Sequence, residues 1–177
     1  MTDVPYLGNR LALDIRRTPF AEGRLIEHEG VIRAGVPAFV PDHRLKAVVR
    51  RMVENWLRAQ AGRVLGERVR AICRRHGLSI GTVTIKDTRS RWGSCSVRRN
   101  LNFNWRLVMA PPWVIDYLVV HETAHLDEMN HSERFWRLVE QRCPDYRSHE
   151  AWLKVCGASL LTWQTITGFA SGAGFEP

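Results

Sequence analysis

Apolar side chains fall at Leu45, Val48, Val49, Met52, Val53, Trp56 and Leu57, and the same rhythm returns at Val64, Leu65, Val69, Ile72 and Cys73. Residues three and four apart share one face of an α-helix, so this spacing predicts two helical stretches with the arginines on the opposite side. Ala61-Gly62 is where a break or loosening between them is expected, Asp42 is placed to cap the start, and Gly77 is the stop signal. The first forty residues keep a different period. Leu11, Leu13 and Ile15 alternate with other residues, and RLIEHEGVIR sets a Glu-Gly turn between two short apolar runs, the pattern of strands joined by a hairpin.

Further along, VTIK (83–86) reads as a strand and the polar DTRSRWGSCSVRR as a loop. NLNFNWRLVM reads as a second strand, with Leu101, Phe103 and Trp105 on one side. Pro112, after Ala110-Pro111, suits the first turn of a helix, where a missing N–H would have had no partner. That helix is expected to run to about Met129. Ser132 then caps a short helix bearing Phe135, Trp136, Leu138 and Val139, closed by Pro144, and a last amphipathic segment carries Trp152, Leu153, Cys156 and Leu160.

Composition narrows the class. At 177 residues with 45% hydrophobic and 25% charged content, one globular domain is expected. Within it, strands 1–40 pack on a body spanning 41–165, and a Gly/Ser-rich tail spans 166–177. No apolar run is long enough to cross a bilayer and the start lacks a secretory signal, so the expectation is a cytoplasmic protein with no membrane partner. Cys73, Cys95, Cys143 and Cys156 show no CxxC spacing and are expected to be free thiols, with Cys95 inert. Charge is uneven: residues 43–76 hold ten Lys or Arg against Glu54 and Glu67, so the whole net charge of +8 lies there.

The chemistry concentrates in HETAHLDEMNH, residues 121–131. On a helix His121 and His125 share a face and can offer two imidazole nitrogens to one ion. Glu122, rotated by about 100°, stays near the ion yet free to hold its water as a general base. A catalytic zinc takes a third protein ligand, and His131 is the nearest candidate. It stands six residues past His125, as in the longer HExxHxxGxxH pattern, but with Glu128 in place of the helix-breaking glycine; Asn130, tolerant of left-handed backbone, can make the turn instead. Ile115, Val119, Thr123 and Leu126 form an apolar stripe behind His121. The competing reading of the segment is a chance polar helix face or a structural metal site.

RWGSCS, NLNFNWRLVMAP, VIDYLVVHETAHL, MNHSERFW and CPDY, in this order and spacing, resemble the YgjP-like zinc metallopeptidases, relatives of the SprT-like group. The resemblance implies an α+β, zincin-like fold: a small, mostly antiparallel sheet packed on the HExxH helix and further helices. It implies one zinc ion per chain held by His121, His125 and His131, and hydrolysis of peptide or protein substrates, as an endopeptidase, by a zinc-bound water that Glu122 activates. Thr123 departs from the aliphatic residue usual after HE, and its hydroxyl is expected to bond the Val119 carbonyl. By analogy Asn102, Phe103, Asn104 and Trp105 supply an edge for an extended substrate. Tyr146, His149 and Arg134 are candidates to stabilise the oxyanion, with nothing in the sequence choosing among them. RSRWGSC either shapes the cleft or plugs the core through Trp92. The basic stretch 43–76 keeps an alternative open: a nucleic-acid-binding module with a structural zinc, or a protease stimulated by DNA.

Overall fold

The computed structural model describes residues 3–163; the tail at 166–177 lies outside them. The chain forms two compact units, residues 3–5 with 10–56 and residues 6–9 with 57–163.

The first unit is built on a four-stranded sheet in the order β1-β2-β4-β3, from β1 (Asp3–Tyr6), β2 (Asn9–Thr18), β3 (Arg24–His28) and β4 (Val31–Pro37). The expected hairpin is β3-β4, antiparallel with Ile26 opposite Arg33. Its turn residues Glu29 and Gly30 have φ of 51° and 77°, the two left-handed positions that a two-residue hairpin turn requires. β2 pairs with β4 in parallel. Val4, Leu11, Ile32, Ala34 and Val36 are buried together with Val49 and Val53 of helix α1 (Asp42–His76).

α1 is one continuous helix of 35 residues, so the break expected at Ala61-Gly62 does not occur. One helical glycine costs about 1 kcal/mol relative to alanine. Against that stands the unbroken buried stripe Leu57, Ala61, Val64, Leu65 and Val69, each large side chain contributing roughly 1.5–3 kcal/mol. Gly77, φ 64°, ends the helix, and the Leu78 N–H bonds back to the Cys73 carbonyl at 2.9 Å. At the other end Asp42 is the first helical residue, its carboxylate paired with Arg17 Nη2 at 2.5 Å.

The second unit carries a three-stranded sheet in the order β5-β7-β6, from β5 (Val83–Lys86), β6 (Gly93–Cys95) and β7 (Leu101–Asn104). β5 runs parallel to β7 and β6 antiparallel to it. The α+β class is therefore as expected, with two small mixed sheets instead of one mostly antiparallel sheet. Two sequence expectations change. The polar loop contains strand β6, and the strand expected through Met109 ends at Asn104, giving way to a 3-10 turn, Trp105–Met109. Asn104 forces the change: its side chain accepts from the Arg106 N–H, capping the turn, and donates to the Thr88 carbonyl at 2.7 Å. Leu101, Phe103 and Trp105 are nonetheless buried.

Helices α2 (Pro112–Ala124), α3 (Glu133–Arg142) and α4 (Tyr146–Leu161) complete this unit. Pro112 opens α2 and the Ser132 hydroxyl accepts from the Phe135 N–H to cap α3, both as expected. Among the described residues no helix is long and apolar enough to cross a membrane, and all four cysteines are free.

Candidate metal centre

α2 is buried nearly all round: Val114, Ile115, Leu118, Val119, Thr123 and Ala124 are each 6% exposed or less. This central position holds the helix rigidly and takes Glu122, 5% exposed, out of water. Thr123 is accommodated as expected, its hydroxyl donating to the Val119 carbonyl at 2.8 Å.

The helix stops at Ala124, five residues short of the expected end. Leu126 and Asp127 bond back to the carbonyls of Thr123 and Ala124, three residues earlier, so the last turn tightens and the chain leaves the axis at once. Asn130 is not among the residues with positive φ, which are Leu7, Glu29 and Arg99 apart from glycines; the swing toward His131 starts at the helix end and needs no left-handed residue there. Two arginines hold the departing chain. Arg99 Nη1 donates to the Leu126 carbonyl at 3.2 Å while its Nε donates to that of Ser79, and Arg142 Nη2 donates to Asp127 at 2.5 Å.

The result gathers His121, His125 and His131, with one potential ligand atom from each lying within 4.8 Å of the others. The Nε2 atoms of His121 and His131 are 3.1 Å apart, close to the roughly 3.3 Å separating two nitrogens on one tetrahedral zinc. His125 Nδ1 lies 3.1 Å from the Glu128 carbonyl; since a carbonyl only accepts, this nitrogen carries the proton and Nε2 keeps its lone pair. Phe135, fully buried, stacks on the His125 ring at 4.5 Å and meets those of His121 and His131 edge-on at 5.0 and 4.7 Å.

Electrostatics agree with the donor set. Burial, reinforced by the two neighbouring imidazoles, pushes His121 down to about 3, and burial lowers His125 too. Both are therefore neutral at neutral pH, the form a metal requires. Burial pushes Glu122 up to about 8, with the Arg91 guanidinium pulling the other way. Three imidazoles beside a buried carboxyl suit a borderline divalent ion, whose charge would favour the carboxylate.

The outlying candidates separate. β7 is hydrogen-bonded on both sides, by β5 and β6, so Asn102, Phe103 and Asn104 offer no free edge, and Trp105 lies beyond the strand, 1% exposed. The edge beside Glu122 is β6: a Cβ on Gly93 would stand 2.5 Å from Glu122 Oε1. Tyr146 lines a cavity of about 590 Å³ with His131 and Trp136. His149 instead packs on Trp113, ring centres 4.9 Å apart, with Cys143 Sγ 3.5 Å from its Nδ1. Arg134 lies 3.9 Å from Glu128 and is 71% exposed. Trp92 is half-buried, lining a second cavity and packing on α4, where Gly157 leaves room for its indole. Burial, then the Glu122 charge, raises the Cys95 thiol, in keeping with an unreactive cysteine.

A family model, YgjP-like, metallopeptidase domain, matches residues 1–155. The chain belongs to the YgjP-like metallopeptidases. No curated protein and no solved structure matches it. Membership of the YgjP-like family makes the protein a metallopeptidase by class, with proteins or peptides as its substrates, and gives the histidine cluster a reason to exist. Nucleic acid has no such support. Arg50, Arg58, Arg63 and Arg68 of the basic helix are already paired with Glu54, Asp87, Glu67 and Asp116.

Phe135, Arg99 and Arg142 carry no sign of a site role in the sequence, and Arg91 and Gly93 carry one only as members of RSRWGSC. Arg142→Ala should cost about 2 kcal/mol, because a 7%-exposed guanidinium bonded to a carboxylate is lost. Thermal unfolding measures that cost. Titration of the same variant with a divalent metal should show weaker binding, since the turn leading to His131 loses one of its two arginine clasps.

Proposed function

We propose that the protein is a zinc-dependent endopeptidase in which His121, His125 and His131 hold one ion and Glu122 is the general base. The convergence of the three imidazoles next to a buried carboxyl carries this reading, and family membership supports it. When bound, zinc supplies Lewis acidity, polarising the scissile carbonyl and making water acidic enough to attack at neutral pH. Glu122 accepts the proton of the attacking water on its carboxylate and delivers it to the leaving nitrogen. The tight turn after Ala124, clasped by Arg99 and Arg142, orients His131, and the Glu128 carbonyl orients His125. The β6 edge aligns an extended peptide, and Tyr146, which shares a cavity with His131, is the preferred oxyanion donor. Four free thiols support a reducing, cytoplasmic setting.

Elemental analysis of purified protein should find one zinc per chain. A chelator should remove the ion and peptide cleavage together, and added zinc should restore both. Cleavage that persists in verified metal-free protein would refute the reading.

A further inference from the structure

The cavity of about 240 Å³ on the outer face of the second sheet has no role in the reading above. Lys86, Arg91, Thr88, Ser94, Asn102 and Asn104 line it, and no carboxylate does. Asp87, the nearest acid in sequence, is occupied by Arg58 and Arg106. Lys86 and Arg91 have no ion-pair partner among the described residues. Ser94 Oγ accepts from Asn102 Nδ2 at 3.1 Å, which leaves its own O–H to donate. Two cations without an ion-pair partner and a hydroxyl donor in a polar recess are the complement of a carboxylate.

Register ties this recess to the catalytic face. Ser94 stands opposite Asn102, and the flanking bonds, Asn104 N–H to the Trp92 carbonyl and Ser96 N–H to that of Asn100, turn the even-numbered backbone groups of β6 toward β7. Gly93 and Cys95 therefore turn theirs to the open edge. Side chains alternate across the sheet, so Ser94 faces the recess while Gly93 faces Glu122. A peptide laid along this edge sends the residue opposite Ser94 over the recess and its neighbours over Glu122.

We propose that the Lys86–Arg91–Ser94 recess is a subsite for a carboxylate of the peptide substrate, lying within two residues of the bond that is cut. The proposal rests on the peptidase reading. It names the substrate class, peptides with an acidic side chain near the cleavage point or with a free chain end there.

The test uses three alanine-rich decapeptides, N-acetylated: one with a central Glu and an amidated end, its Gln analogue, and the Gln analogue with a free C-terminus. Each is assayed for cleavage by the zinc-loaded wild type and for calorimetric binding to zinc-loaded Glu122→Gln. A carboxylate-bearing peptide should bind and react about tenfold better than the amidated Gln peptide, and Lys86→Glu should abolish or invert that preference. Lys86 is the residue to change because Arg91 also acts on Glu122. A preference for the central Glu assigns the subsite to a side chain, and one for the free terminus assigns it to the chain end. Equal binding and cleavage of all three, or a preference that survives Lys86→Glu, overturns the subsite and leaves the peptidase standing. Failure of every peptide to bind or be cut refutes both.

Discussion

Glu122→Gln should give a folded protein that still takes up one zinc but cleaves peptides at least ~10²-fold more slowly. The amide keeps the shape of the side chain, which matters at a position only 5% exposed, yet cannot accept a proton. Equal turnover by the two forms would remove Glu122 from the mechanism. Stability moves the other way. Without metal, burial raises the Glu122 carboxyl from 4.5 to about 8. A folded-state pKa above the unfolded one means that ionisation opposes folding, a penalty absent below about pH 4.5 and growing until about pH 8. Gln carries no such penalty, so metal-free Glu122→Gln should melt above the metal-free parent by a margin that widens over that window. A margin that is flat or reversed would place a cation against the carboxylate that the fold does not reveal.

Much of this site is legible in the sequence, because local signals coincide with tertiary demands. Three- and four-residue spacing placed His121 and His125 together, Pro112 and Ser132 announced helix starts, and Glu29-Gly30 announced a turn. What sequence periodicity could not supply was anything decided by a partner distant in the chain. Asn104 ends β7 because its amide has Thr88 to bond, and α2 stops at Ala124 because Arg99 and Arg142, from other elements, hold the chain that leaves it. β6 was hidden for a different reason: three residues of Gly, Ser and Cys carry almost no strand preference. Its existence depends on β7 beside it, and the sign was the polar Ser96–Asn100 turn leading into the alternating Leu101-Asn102-Phe103. Missing β6 also put the expected free edge at β7, which looked exposed only while its neighbour was read as loop.

Gly93→Ala follows from that correction and should be nearly as damaging as losing the base. The added Cβ would stand 2.5 Å from Glu122 Oε1 and 2.7 Å from its Cγ and Cδ, so one side must move. The strand has little room, since Gly93 pairs with Phe103, whose ring is 1% exposed. Glu122 must yield, and a displacement of about 1 Å in a catalytic group can cost roughly 10²-fold in rate. The loss should appear in kcat with zinc content unchanged, because the imidazoles are not in the path of the methyl group. A mutant cycle separates displacement from general damage. Added to Glu122→Gln, where no base remains to be displaced, Gly93→Ala should lower the residual rate severalfold at most, so that the two losses fall far short of multiplying. Full activity of Gly93→Ala, or losses that multiply independently, would mean that the β6 edge and the Glu122 carboxyl do not form one working unit.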